Sequence, residues 1–165
     1  MELQLLAPDQ WIKERNRLLG FAVKYGEQRL TAAGLRALHG LAPSSLAANG
    51  DAEDAAAIAV AKESGRLVGL AFAAGGGEGD CLAVVHPGMR GRGVGKAMME
   101  ALVAKFGKLV CHVATDNAPS LALCFSLGLS AVSMHTGPTG KPTLRFERRV
   151  GDGIAGTRHF DVVHE

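Results

Sequence analysis

The chain has 165 residues, of which 47% are hydrophobic and 21% charged, a globular composition that excludes intrinsic disorder. Its length falls within the roughly 100–200 residues of one domain. A net charge of +2 and 5% aromatics, with one Trp and one Tyr, weigh against nucleic-acid binding through a basic face or base stacking. Cys81, Cys111 and Cys124 form no CxxC pair and leave an odd cysteine, which fits a reducing, cytoplasmic compartment. The N-terminus lacks the basic and apolar regions of a secretion signal. The charge-free stretch from Asn117 to Gly140 has an apolar part, about Ser120 to Met134, shorter than the ~20 residues of a membrane span. It reads as a buried helix followed by a strand.

In chain order, Leu3 to Leu6 reads as a strand, and Pro8-Asp9 opens a helix from about Gln10 to Tyr25. A second helix covers Thr31 to His39 and ends at Gly40 and Pro43. Asp51, Glu53 and Asp54 form a short acidic loop, expected to be solvated. Ala55–Glu63 and Arg66–Ala74 are two strands joined by a tight turn at Ser64-Gly65. Glycines among 75–79 make another turn, and Asp80–Val85 is a third strand. Residues 93–106 place Val94, Met98, Ala101 and Leu102 on one helical face, with Gly107 as the stop. Lys108–Ala114 is a strand, Asn117 caps a helix to Leu127, and Ser130–His135 and Thr143–Arg148 are the final strands. This order predicts a mixed α/β fold, with residues 1–150 as one domain and 151–165 as a C-terminal tail of unknown role.

The segment from Val85 through His86, Pro87 and Gly88 to Gly95 carries the most chemistry. A strand runs into a glycine-rich turn that opens an amphipathic helix. Glycines let the backbone approach an anion, and the free N–H groups of a helix start point at it. Between His86 and Lys108 there are five Lys/Arg against one acid, Glu100. Positive charge gathered at such a turn favours phosphate or pyrophosphate. A dinucleotide fingerprint starting at Gly91 would need glycine where Lys96 stands. A Walker A loop ending at Gly95-Lys96 would need glycine at Arg90 and Ser or Thr at Ala97.

The spacing Arg90-x-x-Gly93-x-Gly95, after a hydrophobic strand and Val85-His86-Pro87, instead resembles the pyrophosphate loop of the GNAT N-acetyltransferase superfamily. Asn117, Ser120 and Gly128 match that family's later signature at the right offsets. Cys124 stands in the place of its tyrosine and Leu129 in that of its terminal aromatic. The resemblance covers about residues 55–148. It implies a GNAT-like mixed sheet with splayed central parallel strands, Asp80–Val85 and Lys108–Ala114, flanked by helices.

The resemblance further implies acetyl-CoA as co-substrate, with no metal. Backbone groups of the strand Ala83, Val84 and Val85 would bind the pantetheine arm. Arg90 and the amides of Gly91, Arg92, Gly93, Val94, Gly95 and Lys96 would bind the pyrophosphate, with Asn117 and Ser120 beside the donor. The Val85 N–H would stabilise the charge developing on the thioester oxygen. His112, on the strand before Asn117, is the candidate base, since imidazole titrates near pH 6.5; a cleft or core histidine is the alternative. Cys124 is the candidate acid in place of the tyrosine, or a small core filler. His86 shapes the turn with Pro87, and His159 and His164 have no convincing ligand partners. The implied reaction is transfer of an acetyl group to a primary amine of a small molecule or peptide by direct attack on the thioester. Nucleic acid and membrane are not expected partners, and the chain would act as monomer or homodimer. A non-catalytic acyl-CoA-binding or sensing module is the second reading, motivated by the missing tyrosine.

Overall fold

The computed structural model describes residues 1–26 and 29–149. In chain order the strands and α-helices are β1 (Glu2–Leu5), α1 (Pro8–Tyr25), α2 (Ala32–His39), β2 (Ala56–Glu63), β3 (Arg66–Ala74), β4 (Asp80–Val85), α3 (Val94–Phe106), β5 (Lys108–Ala114), α4 (Ala118–Ser126), β6 (Ser130–Thr136) and β7 (Pro142–Arg149). These match the sequence expectation to within about two residues at each end. Short 3-10 turns at Pro43–Leu46, Gly75–Gly77 and Pro87–Met89 are additions, each built on proline or glycine. The tail 151–165, with His159 and His164, lies outside the described residues. No helix among the described residues is long and apolar enough to cross a membrane.

The strands form two sheets, ordered β1-β2-β3-β4 and β5-β7-β6. Every ladder among the described residues is antiparallel. The expected parallel pair, β4 with β5, forms no ladder. The two strands meet through side chains, with Cys81 Sγ 3.6 Å from Cys111 Sγ.

Strands β2 and β3 are buried on both faces, which is why their sequences read as nearly unbroken apolar runs. Successive side chains alternate between two cores. Ile58, Val60, Leu70 and Phe72, with Leu82 and Val84 of β4, pack under α1 and α2. The opposite face offers mostly methyl groups, from Ala57, Ala59, Ala61, Ala71 and Ala73, to Met98, Met99, Leu102 and Val103 of α3. Small residues on the sheet leave room for long ones on the helix, and interiors tolerate few voids. Trp11 is fully buried; its Nε1–H donates to the Leu41 carbonyl at 3.2 Å and fixes α1 over the turn that follows α2.

The second sheet adds Leu109, Cys111 and Val113 of β5 and the fully buried Phe146 of β7 to the α3 core. What joins it to the first sheet is close backbone approach. Gly77, at φ +92°, lies so near β5 that a Cβ there would overlap the Val110 carbonyl. Gly77→Ala is therefore expected to cost about 1–3 kcal/mol in urea unfolding. The loss should exceed that of Gly65→Ala, where the φ is also positive but the added Cβ meets open space.

Candidate functional site

Hydrogen-bond alternation determines where β4 directs its backbone. The His86 N–H donates to the Val68 carbonyl at 2.8 Å in the same register as the β3–β4 pairs Gly69–Val85 and Leu70–Val84. Pairs with even-numbered β4 residues therefore exchange ladder bonds, and odd-numbered residues turn their N–H and C=O away from β3. Ala83 and Val85 thus present backbone donors and acceptors on the unpaired edge. Val84 spends its own on Leu70 and buries its side chain under α1 and α2. Strand β5 is complementary. The Thr115 N–H to Pro142 C=O bond continues the β5–β7 register, which leaves the backbone groups of Val110, His112 and Ala114 pointing away from β7.

At the end of β4 the chain makes the Pro87–Met89 turn, with His86 Nδ1 accepting from the Gly88 N–H at 3.0 Å. Gly91 and Gly93 follow at φ +75° and +81°. Gly93 is the N-cap of α3 and has no side chain to cap with. The first intrahelical bond runs from Ala97 N–H to the Gly93 carbonyl, so the earlier amides of α3 have no helical acceptor. Among the described residues, none of the six amides from Gly91 to Lys96 has a hydrogen-bond acceptor. A row of open N–H groups beside Lys96 and Arg92 is suited to a polyanion. Gly95 faces Val85 and Leu123, each 3.6 Å from where its Cβ would stand, which brings the loop against both β4 and α4.

Arg90 is placed as a strut. Its Nε donates to the Val85 carbonyl and its Nη2 to the Tyr25 carbonyl, both at 3.2 Å. The single tyrosine is thus part of the loop's support, its ring 4.7 Å from that of His86. Behind this contact is an open groove of about 330 Å³, to which Arg17, Lys24 and Arg66 contribute. Asn117 caps α4, its side chain accepting from the Ser120 N–H at 3.5 Å, with Ser120 half-buried in the first turn. Next to it Asp116 pairs with Arg29 at 3.2 Å and Lys141 at 2.7 Å, which lowers its pKa, the Lys141 hydrogen bond first. Asp51, Glu53 and Asp54 are exposed, as expected.

The two candidate catalytic residues are on opposite faces of the second sheet. Cys124 is 3% exposed and lies with Cys111 in the α3 core. His112 is exposed on the outer face, its ring 5.1 Å from that of His135. Burial, then the neighbouring His135 and Arg145 charges, lower its pKa, against the opposing pull of Glu78. Arg145 pairs with His112 across the ladder and holds Glu78 at 2.9 Å and Glu147 at 2.8 Å. No sequence pattern marks this charged cluster, because Glu78 sits in a glycine turn and Arg145 in a late strand. Nor did it mark Asp80, whose half-buried carboxyl on β4 has its pKa raised by desolvation. Among the described residues no group of His, Cys, Asp and Glu could hold a metal ion.

The comparisons with known proteins agree with this geometry. The fold is similar to that of a spermidine N-acetyltransferase chimera from Vibrio cholerae and hSSAT, at TM-score 0.67 and 14% identity, covering 92% of this chain and 98% of that one. A ribosomal-protein-alanine N-acetyltransferase from Brucella melitensis aligns at TM-score 0.59 and 18% identity over 90% and 99% of the two chains. An acetyltransferase of the GNAT family from Streptococcus pneumoniae aligns at TM-score 0.62 and 14% identity, over 90% and 99%. At these identities the likeness shows the fold alone. No curated protein matches in sequence. Residues 25–129, which run from the tyrosine under the loop to the end of the α4 signature, match the acetyltransferase (GNAT) family, and the chain belongs to that family.

Proposed function

We propose that the protein transfers an acetyl group from acetyl-CoA to a primary amine by direct attack on the thioester, acting in the cytoplasm as one domain over residues 1–150. The observation that carries this reading is the run of six open amides from Gly91 to Lys96, continuous with the unpaired edge of β4. A pyrophosphate takes the amides, and the amide-bearing arm of the donor pairs with Ala83 and Val85. The Val85 N–H is the donor for the thioester oxygen as it gains charge. Arg90 holds the Val85 carbonyl, in the next peptide along, and so anchors the end of β4 beside that donor.

His112 is the proposed base. Its lowered pKa keeps the imidazole neutral at pH 7, the form that accepts the ammonium proton of the acceptor. Glu78, whose carboxylate acts on the same imidazole, suits a cationic acceptor. Cys124 is buried against Cys111 and is assigned to packing, so the departing thiolate takes its proton from solvent. Spermidine and ribosomal-protein alanine are named for two proteins of similar fold, and amines of these kinds set the acceptor class to screen.

Gly93→Val or Gly95→Val should abolish CoA binding by calorimetry while circular dichroism is retained; unchanged affinity in both rules out the loop. Gly95→Ala, whose Cβ makes only ordinary contacts at 3.6 Å, should be milder. Mass-spectrometric screening of amines with acetyl-CoA tests turnover and acceptor together, and binding without transfer to any amine would instead identify an acyl-CoA-sensing module. With an acceptor in hand, His112→Ala should lower turnover by ~10²–10⁴-fold. The wild-type rate should fall on acidification only below the usual imidazole pKa, since His112 protonates late. His135→Ala removes one cause of that depression and should move the acidic limb to higher pH.

A further inference from the structure

The three cysteines come from three elements and converge where the two sheets meet. Cys81 on β4 and Cys111 on β5 have their sulfurs 3.6 Å apart, and Cys111 shares the α3 core with Cys124 of α4. All three are free thiols. Cys111 and Cys124 are 5% and 3% exposed, whereas Cys81 is only half-buried. The partial exposure of Cys81 lets a small solute reach its sulfur. Bond formation requires the Cys81 and Cys111 sulfurs to close by about 1.5 Å, to a length near 2.05 Å.

We propose that Cys81 and Cys111 are a modification site: in the presence of a hydroperoxide they form a reversible disulfide that links the two sheets at the base of the β4–β5 seam. The Cys81 thiolate attacks a peroxide oxygen; an S–O bond forms, the O–O bond breaks, and hydroxide (or alkoxide) leaves and is protonated by water. The Cys111 sulfur then attacks the sulfenic acid. An S–S bond forms, the S–O bond breaks, and the departing hydroxide leaves as water with the Cys111 proton. Two thiols and one peroxide thus give one disulfide and two molecules of water, or one of water and one of alcohol. The reduced state persists at rest because Cys111 is a poor thiolate. Its hydrogen bonds to Cys124 and Cys81 and then its burial push it well above the usual thiol range. Cys81 is the one of the three thiols that is not buried, so the reaction starts there and Cys111, 3.6 Å away, serves as the resolving partner. This inference is independent of the proposed acetyl transfer.

The test treats the full chain with hydrogen peroxide, then alkylates free thiols under denaturing conditions before peptide mass spectrometry. The wild type should lose two of its three thiols to a Cys81–Cys111 linked peptide pair, and dithiothreitol should restore them. The oxidised protein should melt about 5–10 °C higher, because the link closes a long loop in the unfolded chain. Cys81→Ser should form no intrachain link. Cys111→Ser should leave a dimedone-reactive sulfenic acid at Cys81. If the buried Cys111 variant does not fold, Cys124→Ala serves instead, and it should keep the Cys81–Cys111 link. Three alkylatable thiols after peroxide, a Cys111–Cys124 link, or a link only between chains would each overturn the proposal.

Discussion

The structure depends on two strands that lie side by side without pairing. Backbone polar groups in a folded chain are almost always satisfied, and an open strand edge invites pairing with whatever strand is at hand. Here the edges of β4 and β5 face one another. They are kept in place by Gly77 against the Val110 carbonyl and by the contact between Cys81 and Cys111. Neither contact supplies a ladder bond. Among the described residues the backbone groups of Ala83, Val110 and His112 and the N–H groups of Val85 and Ala114 have no ladder partner, while the Val85 carbonyl accepts from Arg90 and the Ala114 carbonyl from the Asn117 N–H. The antiparallel ladders on the outer side of each strand prevent these groups from turning elsewhere.

The loop that follows uses the same resource. Its amides are open because Gly91 and Gly93 hold positive φ and because Gly93 has no side chain to cap α3. An anion is bound well only if those amides are aimed before it arrives. The aim comes from parts that never touch the anion. Arg90 ties the loop to the Val85 and Tyr25 carbonyls, Tyr25 packs on His86, and the alanine face of β2 and β3 lets α3 lie close to the sheet. Charge at the loop is thus only partly available to a ligand. Arg90 is bonded to protein carbonyls, Lys105 is bonded to the Ala48 carbonyl, and Arg92 and Lys96 are the cations beside the open amides.

Much of this was legible in the sequence, for reasons that differ by element. The helices and strands followed from local signals, such as apolar periodicity in α3, prolines in the first turns of α1 and α4, and glycine stops at Gly107 and Gly128. The loop was legible because its form is set by backbone geometry, and glycine spacing reports backbone geometry directly. Pairing across the seam was not. A resemblance to splayed strands implied a parallel pair in one mixed sheet, but ladder formation depends on approach distances that no local pattern carries. The grouping of Glu78, Arg145, Glu147 and His112 was hidden for the same reason, since its members come from a turn and two strands far apart in the chain. The convergence of three cysteines likewise required the fold.

The division between backbone and side-chain work also explains how a cysteine can stand in the family tyrosine's place without emptying the site. Donor binding, as proposed, rests on the amides from Gly91 to Lys96 and on the β4 edge, and neither uses the side chain at position 124. That side chain lies in the α3 core, where a thiol fills space in the cluster that holds Cys111 and Leu127. A substitution there can alter protonation of the leaving thiolate while the surfaces that hold the donor keep their shape. Thiolates are tolerable leaving groups in water, so the loss falls on rate rather than on binding. A binding site made of main chain is indifferent to most side-chain replacements around it and vulnerable to those at Gly93, where conformation itself is at stake. Position 124 can therefore drift from a proton donor to a packing residue while the loop stays as it is.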